Sequence, residues 1–561
     1  MTTPSPTPRP MRNPGSPRGE PLVWMSAMGL TLGLTMVLGL LLVIFSEGLA
    51  SFWPRHVEQF TLVEGSRGQI AGSRVIAGEI LVDRAKRLVG SEEPQRELQV
   101  FVGNRDIYKL GFQWLDVNEI ESRSRPEDLI LIERMEYGDA IGTAVKLIQA
   151  DGTEVAFGTA AFETELVRLT ELAEERRDEI LAIEKSQIGS INRTMDELAI
   201  RKRSLEQPAD PKVVASIDAK LAEQQGLYET LAAKSKELRQ RQKLEKLVYT
   251  LPTGGENTIE VGNIIGHYYP NQLGPFARFK RFISNGVAFV WENPREANTE
   301  GGIFPAIFGT FIMTILMSAA VVPFGVVAAI YLREYARQGP VVRAVRIAVN
   351  NLAGVPSIVF GVFGLGFFVY VVGANMDEWL FSDRLPTPTF GTGGIMWASL
   401  TLALMTVPVV IVATEEAISA VPRGAKEGSL AMGASKWQTI QRIVLPASAP
   451  GILTGLILAM ARGAGEVAPL MLVGVVKLAP SLPVDGIWKS TDIIPMVHLD
   501  QKFMHLGFHI YDLGFQSPDS DAAKPMVFAT TLFLILLVVG LNITAILLRE
   551  RLRRKYKAST F

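Results

Sequence analysis

Residues 415–446 read EEAISAVPRGAKEGSLAMGASKWQTIQRIVLP and lie between two long apolar runs. Pro422 suits the first turn of a helix, and Gly433 suits a left-handed stop at the end of one. Ser435 and Gln438 have the S-x-x-Q spacing of a capping box, which predicts a second helix immediately after the stop. Pro446 then opens the next apolar run. Gly428, Ser429, Ala431, Gly433 and Ala434 are small, so another surface can approach this stretch closely. The reading is a helix, a tight turn and a helix, held between two membrane crossings.

The apolar runs extend outward from this loop. A bilayer core requires about 20 apolar residues in helical form. Residues 21–46, 303–332, 347–376, 385–414 and 525–548 reach that length without a charge, and 443–476 is interrupted only by Arg462 and Glu466. Six spans are predicted. The first is too long for a cleaved signal and lacks a closing A-x-A site. Basic residues orient the set, because segments on the cytoplasmic side are rich in Lys and Arg. Arg9, Arg12 and Arg18 precede span one; Arg333, Arg337, Arg343 and Arg346 follow span two. Arg423, Lys426, Lys436 and Arg442 lie in the 415–446 loop, and Arg549, Arg551, Arg553, Arg554, Lys555 and Lys557 close the chain. Acids such as Asp377, Glu378 and Asp383 fall in the loops predicted to face outward. Both termini are therefore expected in the cytoplasm.

The formal charge of -1 over 561 residues gives no support for a nucleic-acid partner, which favours a basic field. With no cysteine, the chain has no disulfide, thiolate metal site or cysteine nucleophile. Residues 1–20, with six prolines, read as a disordered cytoplasmic tail. Residues 47–300 fall between spans one and two and are expected outside the membrane. Their first part, 55–160, reads as β-rich. Short runs at 98–102, 108–115 and 129–132 are divided by polar turns, and 144–148 and 154–157 flank Asp151-Gly152, a hairpin signal. From 162 to 247 the period becomes helical. Leu166, Leu169, Ala173, Ile180, Ile183, Ile191, Leu198 and Leu205 recur on one limb, and Ile217, Leu221, Tyr228, Leu231 and Leu238 on the other. Residues 207–211 break the two limbs, with Asp210 as cap and Pro211 in the first turn. The pattern predicts an antiparallel coiled-coil hairpin. An arm of about 40 residues reaches roughly 60 Å. It serves either as a solvated spacer or as a docking arm. A return segment, 248–300, completes this region as strand or loop.

The central loop resembles the EAA motif of ABC importer permeases, which is E-A-A, three residues, Gly, nine residues and I-x-L-P. Glu427, Gly433, Ile443, Leu445 and Pro446 fall on that spacing, with Gly428 and Ser429 in place of the two alanines. The resemblance implies a polytopic α-helical membrane protein of about six spans, type I ABC importer permease-like. To this is added a large periplasmic α/β insertion carrying the coiled-coil hairpin. It also implies that the loop couples the chain to an ATPase subunit. No G-x-x-x-x-G-K-[ST] phosphate loop occurs in the sequence, so ATP and Mg belong to that partner and the chain is a transport component rather than an enzyme.

Arg462 and Glu466 are the charges inside the hydrophobic runs. Each costs about 2.5–3.5 kcal/mol to insert, so such groups face a cavity or a partner. Four residues apart on a helix they share a face. An arginine fork suits the oxygens of a dianion; the plain alternative is a structural ion pair. The segment around them resembles the R-x-x-G-E-x-A-P-L signature of the PstA permeases of phosphate-specific ABC importers. Arg462, Gly465, Glu466, Ala468, Pro469 and Leu470 match it. Residues 301–310, GGIFPAIFGT, and 351–361, NLAGVPSIVFG, resemble both PstA and its sister PstC. The resemblance implies an inner-membrane subunit passing inorganic phosphate beside Arg462. Its implied partners are a PstC-like permease, two ATPase copies and a periplasmic phosphate-binding protein. It covers 21–46 and 301–557, and not the long insertion. The rival readings are a permease for another oxyanion, a membrane receptor signalling through the outer coiled coil, and a secondary transporter. His498, His505 and His509, in the last outer loop, are expected to belong to an ordinary polar loop, without a metal.

Overall fold

The computed structural model describes residues 21–86, 95–205, 210–479, 481–484, 494, 496–517 and 520–557. The proline-rich tail lies outside the described residues.

Among the described residues, six helices are long and apolar enough to cross a membrane: Trp24–Ala50, Phe304–Tyr335, Ser357–Leu380, Ile395–Ser419, Lys436–Gly463 and Ala523–Arg554. The fourth span is the central one, packed on the second, on the fifth, and on the 357–380 helix. Met313, Met317 and Val321 of span two meet Trp397, Leu402, Met405 and Val410 of span four in a buried core. The first span packs against the sixth and leaves most of its apolar perimeter exposed.

Three boundaries differ from those expected. The run 347–376 is two helices: an amphipathic one, Pro340–Leu352, and a span that begins only at Ser357. Pro356 drives the residue before it out of the helical region, so the first helix cannot continue through it. The run 385–414 becomes helical only at Ile395. Within its first ten residues, 389–391 are held by Asp377, whose carboxylate accepts backbone N–H bonds from Thr389 (3.0 Å), Phe390 (2.8 Å) and Gly391 (2.7 Å). Asp377 thus lies in the helix Ala374–Leu380, 2% exposed, rather than in an open loop. The third difference, in span five, concerns the site.

Between spans one and two, the described residues form two large antiparallel sheets and one small two-stranded one, Pro294–Arg295 with Glu300–Gly301. Strands β1 (Val57–Leu62), β2 (Val75–Lys86), β3 (Gln95–Phe101), β4 (Phe112–Asp116) and β5 (Ile120–Ser124) form one, in the order β4-β3-β2-β1-β5. The second holds β6 (Leu129–Arg134), β7 (Ala140–Ile148), β8 (Glu154–Ala156), β9 (Lys246–Thr250), β10 (Glu256–Glu260) and β11 (Ile264–Tyr268). Its order is β10-β9-β7-β6-β11, with β8 paired to β7. The Asp151-Gly152 hairpin forms as expected, with Gly152 at φ 86° and the Asp151 carboxylate accepting from Thr153 N–H. The run 108–115 starts later, because Asn104 and Lys109, both left-handed, bracket a helical turn before β4.

The outgoing limb of the hairpin comprises Ala160–Leu181, a π-helical segment Ala182–Ile188, and Gly189–Arg203; the returning limb is Pro211–Arg241. Leu166, Leu169 and Ala173 are buried against β7 and β9, while Ile180, Ile183 and Leu238 join the two limbs. Glu184 ties them further by accepting from Ser235 (2.6 Å) and Arg239 (2.7 Å). Asp210 caps the second limb, accepting from Lys212 N–H; residues 207–209 of the expected break lie outside the described residues. Leu247, expected in the helical part, is a buried residue of β9, because the returning helix ends at Arg241. The return segment holds a helix that was not expected, Pro275–Trp291.

Candidate functional site

The 415–446 loop folds into the helix Arg423–Ala431, a turn at Gly433 with φ 85°, and a short helix Lys436–Thr439. The capping box is complete. Ser435 Oγ accepts from Gln438 N–H (3.2 Å), and the Gln438 side chain accepts from Ser435 N–H (2.8 Å). Ser429 and Thr439 hydroxyls meet at 2.9 Å, closing the elbow. Lys426 Nζ donates to Glu334 at 2.6 Å, bracing the elbow against the end of span two. Ile418, Val421, Ile440 and Val444 bury its root against Ile330. Glu427, Gly428 and Gly433 are exposed, and no atom stands within 4 Å of a Cβ built at Gly428 or Gly433. Leu430, Met432 (88% exposed) and Trp437 project beside them. These three apolar groups escaped the sequence reading, although their isolation in a polar loop was a usable signal. Ile443, Leu445 and Pro446 belong to the base, where a π-helical turn, Ile440–Val444, leads into the span.

The second group stands at the other end of the same helix. Arg462 is in its last turn, since the helix ends at Gly463. It is therefore not mid-helix, and Glu466 does not share a helical face with it. Gly463 and Gly465 weaken the helix, and Pro469 has no N–H to donate to residue 465 while its ring crowds that carbonyl. The chain turns through 464–467 and resumes as the short helix Ala468–Val473. The turn still brings the two charges into contact, Arg462 Nε to Glu466 Oε1 at 3.8 Å, each about a quarter to a third exposed. A guanidinium in a last turn also complements the negative end of the helix.

Small residues set this geometry. A Cβ at Gly463 would stand 2.3 Å from the Met317 sulfur, and one at Gly361 would stand 2.7 Å from Pro469. One at Gly309 would stand 2.1 Å from the Met504 carbonyl oxygen. Thus 301–310 and 351–361 pack on the loops around the break and on the last connection. That connection is also where the histidines sit, and it is not an ordinary polar loop. His498, His505 and His509 are buried, and His505 caps the helix Leu506–Tyr511 by accepting from Gly507 N–H. Thr310 Oγ1 accepts from Leu506 N–H at 2.9 Å. Among the described residues, no group of three or more His, Cys, Asp or Glu is arranged to hold a metal ion. The two groups of candidate residues are separate, about 24 Å apart along a helix of 1.5 Å rise from Pro446 to Arg462.

This arrangement of spans and elbow has known relatives. The profile of the family described as binding-protein-dependent transport system inner membrane component matches residues 321–557. The probable ABC transporter permease YqgI of Bacillus subtilis is 30% identical over 251 residues, which are 44% of this chain and 79% of that protein. The chain is an ABC importer permease. The permease is also 38% identical over 184 residues to the phosphate transport system permease PstA of Yersinia pestis, covering 33% of the chain and 56% of that protein. Among solved structures, a chain of the MetNI methionine ABC transporter covers 45% of the permease and 94% of itself, at 18% identity and a TM-score of 0.31. Members of the family are transport components, and the permease is a multi-pass membrane protein.

Proposed function

We infer that the permease is the PstA-like half of the translocation pore of an ATP-driven inorganic phosphate importer. The observation that carries this reading is the R-x-x-G-E-x-A-P-L segment, whose arginine stands at a helix break with a carboxylate at 3.8 Å. At that distance the ion pair is loose, and the guanidinium retains donors for a tetrahedral oxyanion. Glu466 balances the charge between passages, so that the anion is attracted but not trapped. The PstA relatives, matched over about half their length, favour the same substrate.

In this reading the chain lies in a bacterial inner membrane with both termini cytoplasmic and the sheet region in the periplasm. A PstC-like permease supplies the second half of the pore, and a periplasmic phosphate-binding protein delivers the ion. Two ATPase copies hold ATP and Mg and receive the elbow. Glu427, Gly428 and Ser429 present a smooth helical face to a cleft of the ATPase, with Leu430, Met432 and Trp437 as apolar contacts. Movement of the elbow is passed through Ile443, Leu445 and Pro446 into span five, whose far end carries Arg462. The permease orients and passes phosphate without altering it.

The test is uptake of radiolabelled phosphate by the reconstituted complex. Uptake is expected to require ATP and to be competed by arsenate but not by sulfate or molybdate. Arg462→Ala is expected to lower uptake about 10- to 100-fold, the value of a charge-assisted hydrogen bond, with the complex still assembled. Competition by sulfate or molybdate would reassign the substrate to another oxyanion, and normal uptake by Arg462→Ala would remove that residue from the path.

A further inference from the structure

The helix Pro275–Trp291 has two unlike faces. One is anchored. Arg278 donates to the Pro54 carbonyl (2.7 Å) and the Pro270 carbonyl (2.6 Å), Arg281 pairs with Glu133 at 2.5 Å, and Asn285 donates to the Phe52 carbonyl. Phe289 packs edge-on against Phe52, just past span one, and tilted against Phe533 of span six. The opposite face carries Phe276, Phe279, Ile283, Val287 and Trp291, which are 82%, 53%, 48%, 53% and 68% exposed. Steps of three and four residues place these five side chains in one arc.

The surroundings say what covers that arc. The helix packs on Phe52, just past the end of span one at Ala50, and on Ile303 and Phe304 at the start of span two, so it sits at the level where both leave the apolar layer. Ile303 N–H donates to the Phe289 carbonyl at 2.8 Å and Gly302 N–H to the Asn293 carbonyl, clipping it to span two. Trp291 stacks on Phe304 at 5.6 Å, and Trp53 lies against Phe282 at 5.7 Å. The exposed arc is therefore continuous with the exposed apolar flanks of the spans. Aromatic residues with a cation at the edge, here Lys280, are the composition of a helix lying in a bilayer surface.

The geometry points to Pro275–Trp291 as an in-plane membrane helix, whose Phe276–Trp291 face is inserted at the boundary between headgroups and acyl chains. It holds the sheet region on the bilayer and ties the motion of that region to span two. This inference is independent of the transported substrate.

Because the chain has no cysteine, single cysteines can be introduced at Ala277, Phe279, Ile283, Ser284 and Val287 and labelled with a nitroxide. The assembled complex is placed in nanodiscs of mixed zwitterionic and anionic lipid, and the labels are probed with oxygen and with a water-soluble nickel chelate. The expected result is that oxygen outcompetes nickel several-fold at 279, 283 and 287, with the order reversed at 277 and 284. Nickel access at all five positions would overturn the inference in favour of water. Exclusion of both reagents at 279, 283 and 287 would overturn it in favour of a protein partner.

Discussion

Asp377 shows how one residue can arrange a connection between spans. Its carboxylate accepts three successive backbone N–H groups, and residues 389–391 are thereby bent before span four starts. A buried donor that loses a charged acceptor costs about 1.5–3 kcal/mol, and three on one carboxylate are not additive. Asp377→Ala is expected to destabilise the permease by about 3 kcal/mol, with Asp377→Asn intermediate, as read from thermal unfolding of the detergent-solubilised complex. The acid itself was visible in the sequence. Its burial was not, because burial depends on donors twelve to fourteen positions later, and no periodicity links them.

At the scale of the element, the elbow was the most legible part. Its helix, stop and capping box depend on contacts within four residues, and such contacts are written directly in sequence. Gly433 is the sharpest case. Its φ of 85° is left-handed, and the space that a Cβ would enter is open, so a substitution there strains the backbone without a clash. Gly433→Val is expected to cost about 1–2 kcal/mol in the turn and to reduce co-purification of the ATPase several-fold. Gly433→Asn, which tolerates this conformation, should remain close to the unaltered protein. The fifth span was read less well. Apolar composition ran on to 476, and only the placement of Gly463, Gly465 and Pro469 together marks where the helix stops.

Across the whole molecule, the seam between the sheets and the membrane helices gathers acids from distant parts of the chain. Burial pushes the Glu79 carboxyl up to about 7, against the pull of Arg55 and with a further push from Glu133. Burial likewise raises Asp139, reinforced by Glu300 and Glu133, and raises Glu300, reinforced by Glu296. A raised value means that the folded state holds its protons more tightly than the unfolded chain. The stabilisation is complete below the ordinary carboxylate value of 4.5 and is lost as pH rises toward 7. Hydrogen exchange around the β6–β7 turn, corrected for its intrinsic pH dependence, is expected to show easier opening across that window. Glu79→Gln should flatten the trend. Such a cluster joins residues more than 200 positions apart, and nothing local announces it.

By itself the sequence determined that six helices cross a membrane, that an elbow with a glycine stop separates spans four and five, and that a sheet region with a helical hairpin precedes span two. Each of these rests on composition or on spacing within a turn or two, where near neighbours decide the energy. Tertiary structure decided what Asp377 holds, that the three histidines are buried, and that the apolar face of Pro275–Trp291 stands beside the spans. Those outcomes depend on which distant groups share a dry space, and chain order does not encode that.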